Sequence, residues 1–197
     1  YTTGSVSGDY NIGGLVGYNE LGTITCNYAE GAVNGYQTVG GLVGMNVDGA
    51  VTSSYSTGLV SGYGTGGLVG WSYNGLATNC FWDMETSGQS SSYGGEGKTT
   101  AQMQDINTYL AVGWDFTEED GDGVEWMMLR EGEDYPRLAW QETVLVPDVT
   151  GMQQAEAGTA LLAVNLAAEI TMAGSETVPA GQVISQSPVV GTEVLLG

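Results

Sequence analysis

The chain has 197 residues, 23 of them acidic and three basic, for a formal net charge of −20, and it contains no histidine. Such a charge repels DNA, RNA and anionic lipid, because affinity for these needs clustered Lys or Arg. The absence of histidine excludes a Ser-His-Asp triad and a His-ligated zinc site, while an apolar fraction of 42% is ordinary for a globular core.

The first half of the chain is a repeat. Gly-Gly-Leu-Val-Gly occurs at 13–17, 40–44 and 66–70, offsets of 27 and 26 residues. It is preceded by Gly-Ser-Val-Ser-Gly at 4–8, Gly-Ala-Val-Asn-Gly at 31–35 and Gly-Leu-Val-Ser-Gly at 58–62. It is followed by Gly-Thr-Ile-Thr from Gly22, Gly-Ala-Val-Thr from Gly49 and Gly-Leu-Ala-Thr from Gly75. A fixed period of this size predicts units that stack, each burying the face its neighbour exposes. The second unit offers three β-compatible stretches, 31–35, 42–46 and 50–55, which predict a triangular coil. Alternation along a strand places Ile24, Cys26 and Tyr28 on one face, with Val51, Ser53 and Tyr55, then Ala77, Asn79 and Phe81, as their equivalents. The Gly pairs are expected to supply corners with positive φ. Tyr18, Met45 and Trp71 form a further row. Tyr18 and Trp71 either stack on sugar rings, if they point outward, or pack within the array.

Cys26 follows its repeat glycine by four residues and Cys80 by five. They lie two units apart, ~10 Å at ~4.8 Å per stacked strand, whereas a disulfide needs Cα atoms within ~7 Å. The array acids Asp9, Glu20, Glu30, Asp48 and Asp83 fall in no common column, so the paired carboxylates of a glycosidase are not read here and no enzyme is expected.

Residues 84–142 lose the Gly-Leu-Val pattern and become rich in aromatic residues, with Trp114, Phe116, Trp126 and Trp140 following Trp82. They read as a cap for the array. Residues 87–97 read as a loop, and Thr99 with Gln102 as a capping box opening a helix over 100–110. Strands are expected near 113–116 and 124–129. Across this junction lie Asp115, Glu118, Glu119, Asp120, Asp122 and Glu125, with Asp120 and Asp122 alternating with Gly121 and Gly123. That pattern suits either an oxygen-rich Ca2+ loop or a solvated turn. An EF-hand register from Glu118 fails at its twelfth position, which is Leu129.

From 144 the texture changes to Val-Pro-Asp-Val and a helix predicted from Gln153 to Val164 with Leu161, Leu162 and Leu166 on its apolar face and Asn165 as terminator. Strands are expected at 183–186 and 193–196. No apolar run reaches the ~18–20 residues needed to cross a bilayer. The opening in mid-repeat reads as an internal piece of a longer protein.

Two resemblances sit on these motifs. The three repeats, with Asn-Cys-Phe-Trp-Asp at 79–83, Gly-Lys-Thr-Thr-Ala-Gln-Met at 97–103, Gly-Trp-Asp-Phe at 113–116 and Tyr-Pro-Arg-Leu at 135–138, resemble GLUG-motif surface proteins. That implies a right-handed parallel β-helix in a secreted protein with adhesive or scaffolding work. Val-Pro-Asp-Val-Thr-Gly-Met at 146–152 and Val-Pro-Ala-Gly-Gln-Val-Ile-Ser-Gln-Ser-Pro at 178–188 resemble a PASTA module without its last strand. Such modules are associated with cell-wall fragments or act as spacers.

The expected architecture is mainly β: a short parallel β-solenoid over 1–83, its aromatic cap with a short helix over 84–142, and a small α+β PASTA-like module over 144–197. The expected function is a non-catalytic structural or adhesive segment of a secreted prokaryotic surface or filament protein. The alternatives are a carbohydrate or peptidoglycan-binding module and, behind it, a polysaccharide-degrading enzyme. The expected partners are other surface or matrix proteins, copies of itself through exposed strand edges, or a glycan. Nucleic acid and membrane contact are not expected, and Ca2+ is the one cofactor in view.

Overall fold

The computed structural model describes residues 1–116, 125–141 and 143–195. The chain is mainly β and divides into two compact units, Tyr1–Ala139 and Trp140–Gly197.

In the first unit each repeat makes four strands. The first repeat contributes β1 (Val6–Gly13), β2 (Val16–Glu20), β3 (Thr23–Thr25) and β4 (Tyr28–Ala29). The second contributes β5 (Val33–Gly40), β6 (Val43–Val47), β7 (Ala50–Thr52) and β8 (Tyr55–Ser56). The third contributes β9 (Val60–Gly66), β10 (Val69–Tyr73), β11 (Leu76–Thr78) and β12 (Phe81–Asp83). Equivalent strands pair in parallel, so that Val6, Val33 and Val60 stand in one row and Ile24, Val51 and Ala77 in another. The Tyr28, Tyr55 and Phe81 row also forms as expected.

The expected third stretch is two strands, not one. Cys26, Ser53 and Asn79 adopt φ of 52°, 44° and 55°, which breaks the alternation between β3 and β4. Ile24 therefore turns into the interior with Leu42, Val43, Val51, Leu68 and Val69. Tyr28 faces the opposite way, into a second, aromatic core. The three residues do not share a face.

The corners are also built differently from expectation. Left-handed φ recurs at Asn11, Thr38 and Gly64, and at Leu21, Asp48 and Asn74, rather than at the Gly-Gly pairs. The pairs serve close approach of backbones. A Cβ on Gly14 would lie 2.3 Å from the Gly41 carbonyl oxygen, and one on Gly41 would lie 2.1 Å from that of Gly67. Inside the coil, Asn19 Nδ2 donates to Asn46 Oδ1 at 2.8 Å. Asn46 Nδ2 donates to the Gly49 carbonyl at 3.2 Å. This amide pair satisfies the backbone at the turns before β3 and β7, and Ser72 Oγ does so in the third coil by donating to the Gly75 carbonyl at 3.2 Å.

The last coil is covered by α1 (Met84–Ser87) and the segment after it, which ends in β13 (Glu96–Lys98). The expected loop thus contains a strand: β13 adds a fourth rung beyond β12, with Phe81 opposite Glu96. The amide of Gly67 donates to the Ser91 carbonyl at 3.0 Å, and that of Tyr93 to the Val69 carbonyl at 3.0 Å. Gln89 Nε2 reaches the Val60 carbonyl at 2.8 Å. These bonds occupy a sheet edge that stacking alone leaves open.

The predicted helix over 100–110 is two: α2 (Thr100–Met103), with the capping box at Thr99 and Gln102 in place, and α3 (Ile106–Leu110). Asp105 separates them by accepting from the Asn107 amide as a fresh N-cap. Gly113 turns at φ 82° and no strand forms at 113–116. Further on, β14 (Trp126–Met127) pairs antiparallel with β15 (Arg137–Leu138). This part runs along the side of the array rather than over its end. Trp126, Trp114, Tyr109, Met103 and Leu138 close on the Tyr28, Tyr55 and Phe81 row. Tyr28 and Tyr55 stack at 5.2 Å, and Trp114 and Trp126 lie 4.4 Å apart. Two of the polar tips find backbone partners: Tyr55 Oη donates to the Pro136 carbonyl at 2.6 Å and Trp114 Nε1 to that of Asn79 at 2.9 Å. Arg137 sits over the Tyr28 ring at 5.3 Å and pairs with Glu30, so one of three basic residues ties the side cover to the first coil.

The second unit pairs β16 (Thr143–Leu145) antiparallel with β17 (Glu193–Leu195) and contains α4 (Gln154–Leu162). Asn165 ends the helical region at φ 57° as expected. Among the described residues only Val146, Val149 and Ala157 are buried here, and Leu162 is exposed instead of packing. The expected strand at 183–186 reduces to a bridge between Gln153 and Gln182 with the Val183 amide on the Met152 carbonyl. Gln186 does local work instead: its Oε1 accepts from the Val149 amide at 2.8 Å and its Nε2 donates to the Pro147 carbonyl at 3.0 Å.

Candidate functional site

The strongest surface feature lies where the first two sheets of the array meet at the third coil. In β10 the alternation that turns Ser72 inward turns Trp71 and Tyr73 outward. Their rings stack at 6.2 Å with planes 7° apart. On the neighbouring sheet, Tyr10, Tyr36 and Tyr63 meet edge to face at centroid distances of 5.8 and 5.8 Å. Tyr93, from the segment that covers the last coil, supplies another wall. Tyr36, Tyr63, Trp71 and Tyr93 line a groove of about 360 Å³ with Gln37, Thr38, Gly64 and Gly70. Gly64 holds the left-handed corner that Asn11 and Thr38 occupy in the first two coils, so the third coil has a hollow where the others have a side chain.

Tyr18, Met45 and Trp71 stand in one row, as the repeat predicts. Tyr18 is 46% exposed and Trp71 36%. Trp71 lines the groove; Tyr18 sits two coils away from it, beyond Met45. Sequence reasoning missed Tyr36, Tyr63 and Tyr93. The signal for two of them was present: Tyr36 and Tyr63 each follow the glycine that closes the segment before the pentapeptide, 27 residues apart.

The acidic turn is only partly described, since Glu118, Asp120 and Asp122 lie outside the described residues. Of the two flanking acids, Glu125 accepts a hydrogen bond from Cys26 Sγ at 2.9 Å, and the Asp115 carbonyl accepts from the Trp126 amide at 3.0 Å. Among the described residues no three Asp, Glu, Cys or His side chains gather to hold a metal ion. The array carboxylates also have structural work. Asp83 is buried, caps α1 and accepts from Tyr135 Oη at 2.7 Å, and Glu30 holds Arg137. Asp9, Glu20 and Asp48 are exposed.

Both cysteines are free. Burial, and then the hydrogen bond to Glu125, raise the Cys26 thiol above its ordinary value, the opposite of what a nucleophile needs. Burial pushes Cys80 up to about 12 from 9.0. The fold therefore favours the neutral thiol of Cys80. That contribution is whole below pH 9 and is lost as pH rises toward 12, at about 1.4 kcal/mol per pH unit. Burial raises Tyr55 and Tyr109 well above 10 in the same sense. Thermal melts are expected to hold level below pH 9 and then fall. With both thiols removed, in Cys26→Ala/Cys80→Ala, the fall should begin near pH 10, with the tyrosines; an unchanged onset would show that neither thiol titrates with unfolding.

The second unit combines a Val-Pro-Asp-Val lead, one helix, and a closing strand that returns to pair with its first. Residues 144–197 match the PASTA domain. The PASTA match covers this second unit and not the repeats. A protein of Evansella cellulosilytica, provisionally described as a Gly-rich membrane protein, is 36% identical over 75 residues. The aligned part is 36% of this chain and 8% of that protein, so the chain spans a small fraction of this relative's length. No solved structure matches the chain. No helix among the described residues is long and apolar enough to cross a membrane.

Proposed function

We propose that the first unit is a short right-handed parallel β-helix of the GLUG-repeat type, and that the chain is a non-catalytic structural or adhesive segment of a secreted bacterial surface protein. The observation that carries this reading is the in-register parallel stacking of three repeats, in a chain that goes on to a PASTA-matching unit. Each coil gives its neighbour a full set of backbone bonds, so the array is stiff along its stacking direction and grows by adding units. The array carboxylates that are buried or paired serve capping and ion pairing, which supports a structural rather than a hydrolytic role. The PASTA unit acts as the spacer or wall-proximal element. Partners are other surface proteins, copies of the same chain, or a glycan.

The test is a single-molecule force measurement on the chain held at its ends. The first unit, Tyr1–Ala139, is expected to resist and then release in one step, with a contour gain of up to ~470 Å at ~3.4 Å per residue. Gradual extension at low force would remove the structural reading, and turnover of a polysaccharide by the purified chain would remove the non-catalytic one.

A further inference from the structure

We propose that the groove walled by Tyr36, Tyr63, Trp71 and Tyr93 binds an uncharged, extended β-linked polysaccharide laid along the stacking direction of the coils. Exposed aromatic rings are tolerated singly on any surface, but a contiguous set around a hollow marks an interaction site. Tyr63 is 72% exposed, so these rings are not fillers of the core.

The lining carries neither carboxylate nor ammonium, in a chain of net charge −20. An anionic polymer is repelled by that field, and a cationic one finds no counter-charge in the groove. What the groove offers is apolar ring surface with hydrogen-bonding groups at its edge: phenol hydroxyls, Gln37 and Thr38. A pyranose presents the matching surface, with C–H faces to lie on rings and equatorial hydroxyls to meet the polar groups.

Spacing selects the polymer. Tyr10, Tyr36 and Tyr63 place one ring on each coil, a step of ~4.8 Å along the array, with their edge-to-face rings 5.8 Å apart between centroids. An extended β-linked glycan places one sugar ring per step of comparable length. A polyproline peptide, the other habitual occupant of aromatic grooves, rises ~3.1 Å per residue with three residues per turn, so like faces recur about every 9 Å and miss alternate coils.

The test titrates the whole chain with cellohexaose, xylohexaose and a polyproline peptide, read by calorimetry and tryptophan fluorescence. One or both hexasaccharides should bind. Trp71→Ala and Tyr63→Ala should each weaken binding about tenfold or more. Gly64→Asn tests the hollow without removing an aromatic ring. Asn11 already holds the equivalent left-handed corner, and a Cβ at Gly64 meets nothing closer than the Thr38 amide nitrogen at 3.7 Å. This variant should keep its β-sheet spectrum and lose binding, while Trp140→Ala in the second unit should bind as the parent does. The proposal is overturned if neither hexasaccharide binds at millimolar concentration, if binding survives both Trp71→Ala and Gly64→Asn, or if the peptide alone binds. Binding and stiffness are read separately, so failure here leaves the force measurement to decide the structural role.

Discussion

Gly41→Ala is expected to unfold the repeat array. The added methyl carbon would sit 2.1 Å from the Gly67 carbonyl oxygen and 2.7 Å from Ser56 Oγ. The first neighbour is backbone and is held in place. Leu68 accepts from both the Leu42 and Val43 amides at 2.9 and 3.0 Å, and the Gly67 amide is bonded to Ser91 at 3.0 Å. Relief therefore means separating the second and third coils across several ladder bonds. The loss should exceed about 4 kcal/mol, a large share of the ~5–15 kcal/mol that keeps a domain folded. Gly4→Ala is the matched control, since a Cβ there meets nothing within 4 Å. Thermal unfolding followed in the far ultraviolet should show the first variant unfolded or strongly destabilised and the second unchanged. A melt of Gly41→Ala within two or three degrees of the parent would mean that the coils do not approach as closely as these distances require.

The same contrast explains what the sequence could and could not convey. A repeated pentapeptide announces stacking, because only identical backbones can lie on one another over three turns. The rows Ile24, Val51, Ala77 and Tyr28, Tyr55, Phe81 follow from it directly. The break between β3 and β4 was hidden because Cys26, Ser53 and Asn79 share a backbone angle and no side-chain chemistry. The glycines were legible as necessary but not for what: crowding by the next coil is a tertiary fact, whereas positive φ is a local one. β13 is an edge strand recruited by the exposed edge of β12, and a Gly/Ser-rich stretch carries no local sign of that. Composition showed that residues 84–142 are rich in aromatic side chains without showing which surface they cover. The groove was half visible. Trp71 was singled out from its row, but its companions come from another sheet and from the covering segment, and only folding brings them together.

That side cover yields the second large effect. Trp126→Ala is expected to cost about 3–5 kcal/mol and to release the cover while the coils remain stacked. Trp126 is fully buried, its ring 4.4 Å from Trp114 and 5.9 Å from Tyr55. Its strand holds Leu138 opposite, so the loss falls on both strands of the cover at once. The array keeps two cores of its own, one around Leu42, Val43, Leu68 and Val69 and one of Val33, Val39 and Val60. Neither contains a residue of the cover, and the parallel ladders do not pass through it. The variant should therefore keep its far-ultraviolet β signal while losing near-ultraviolet structure. New protease cuts should appear between α3 and β15, as the Tyr28, Tyr55 and Phe81 row opens to solvent. Trp140→Ala removes the same side chain from a site that is 69% exposed and should shift neither signal. If Trp126→Ala instead melted the ladders together with the cover in one transition, the aromatic row would be the centre of the unit's cooperativity, and the stacking bonds alone would not hold three coils.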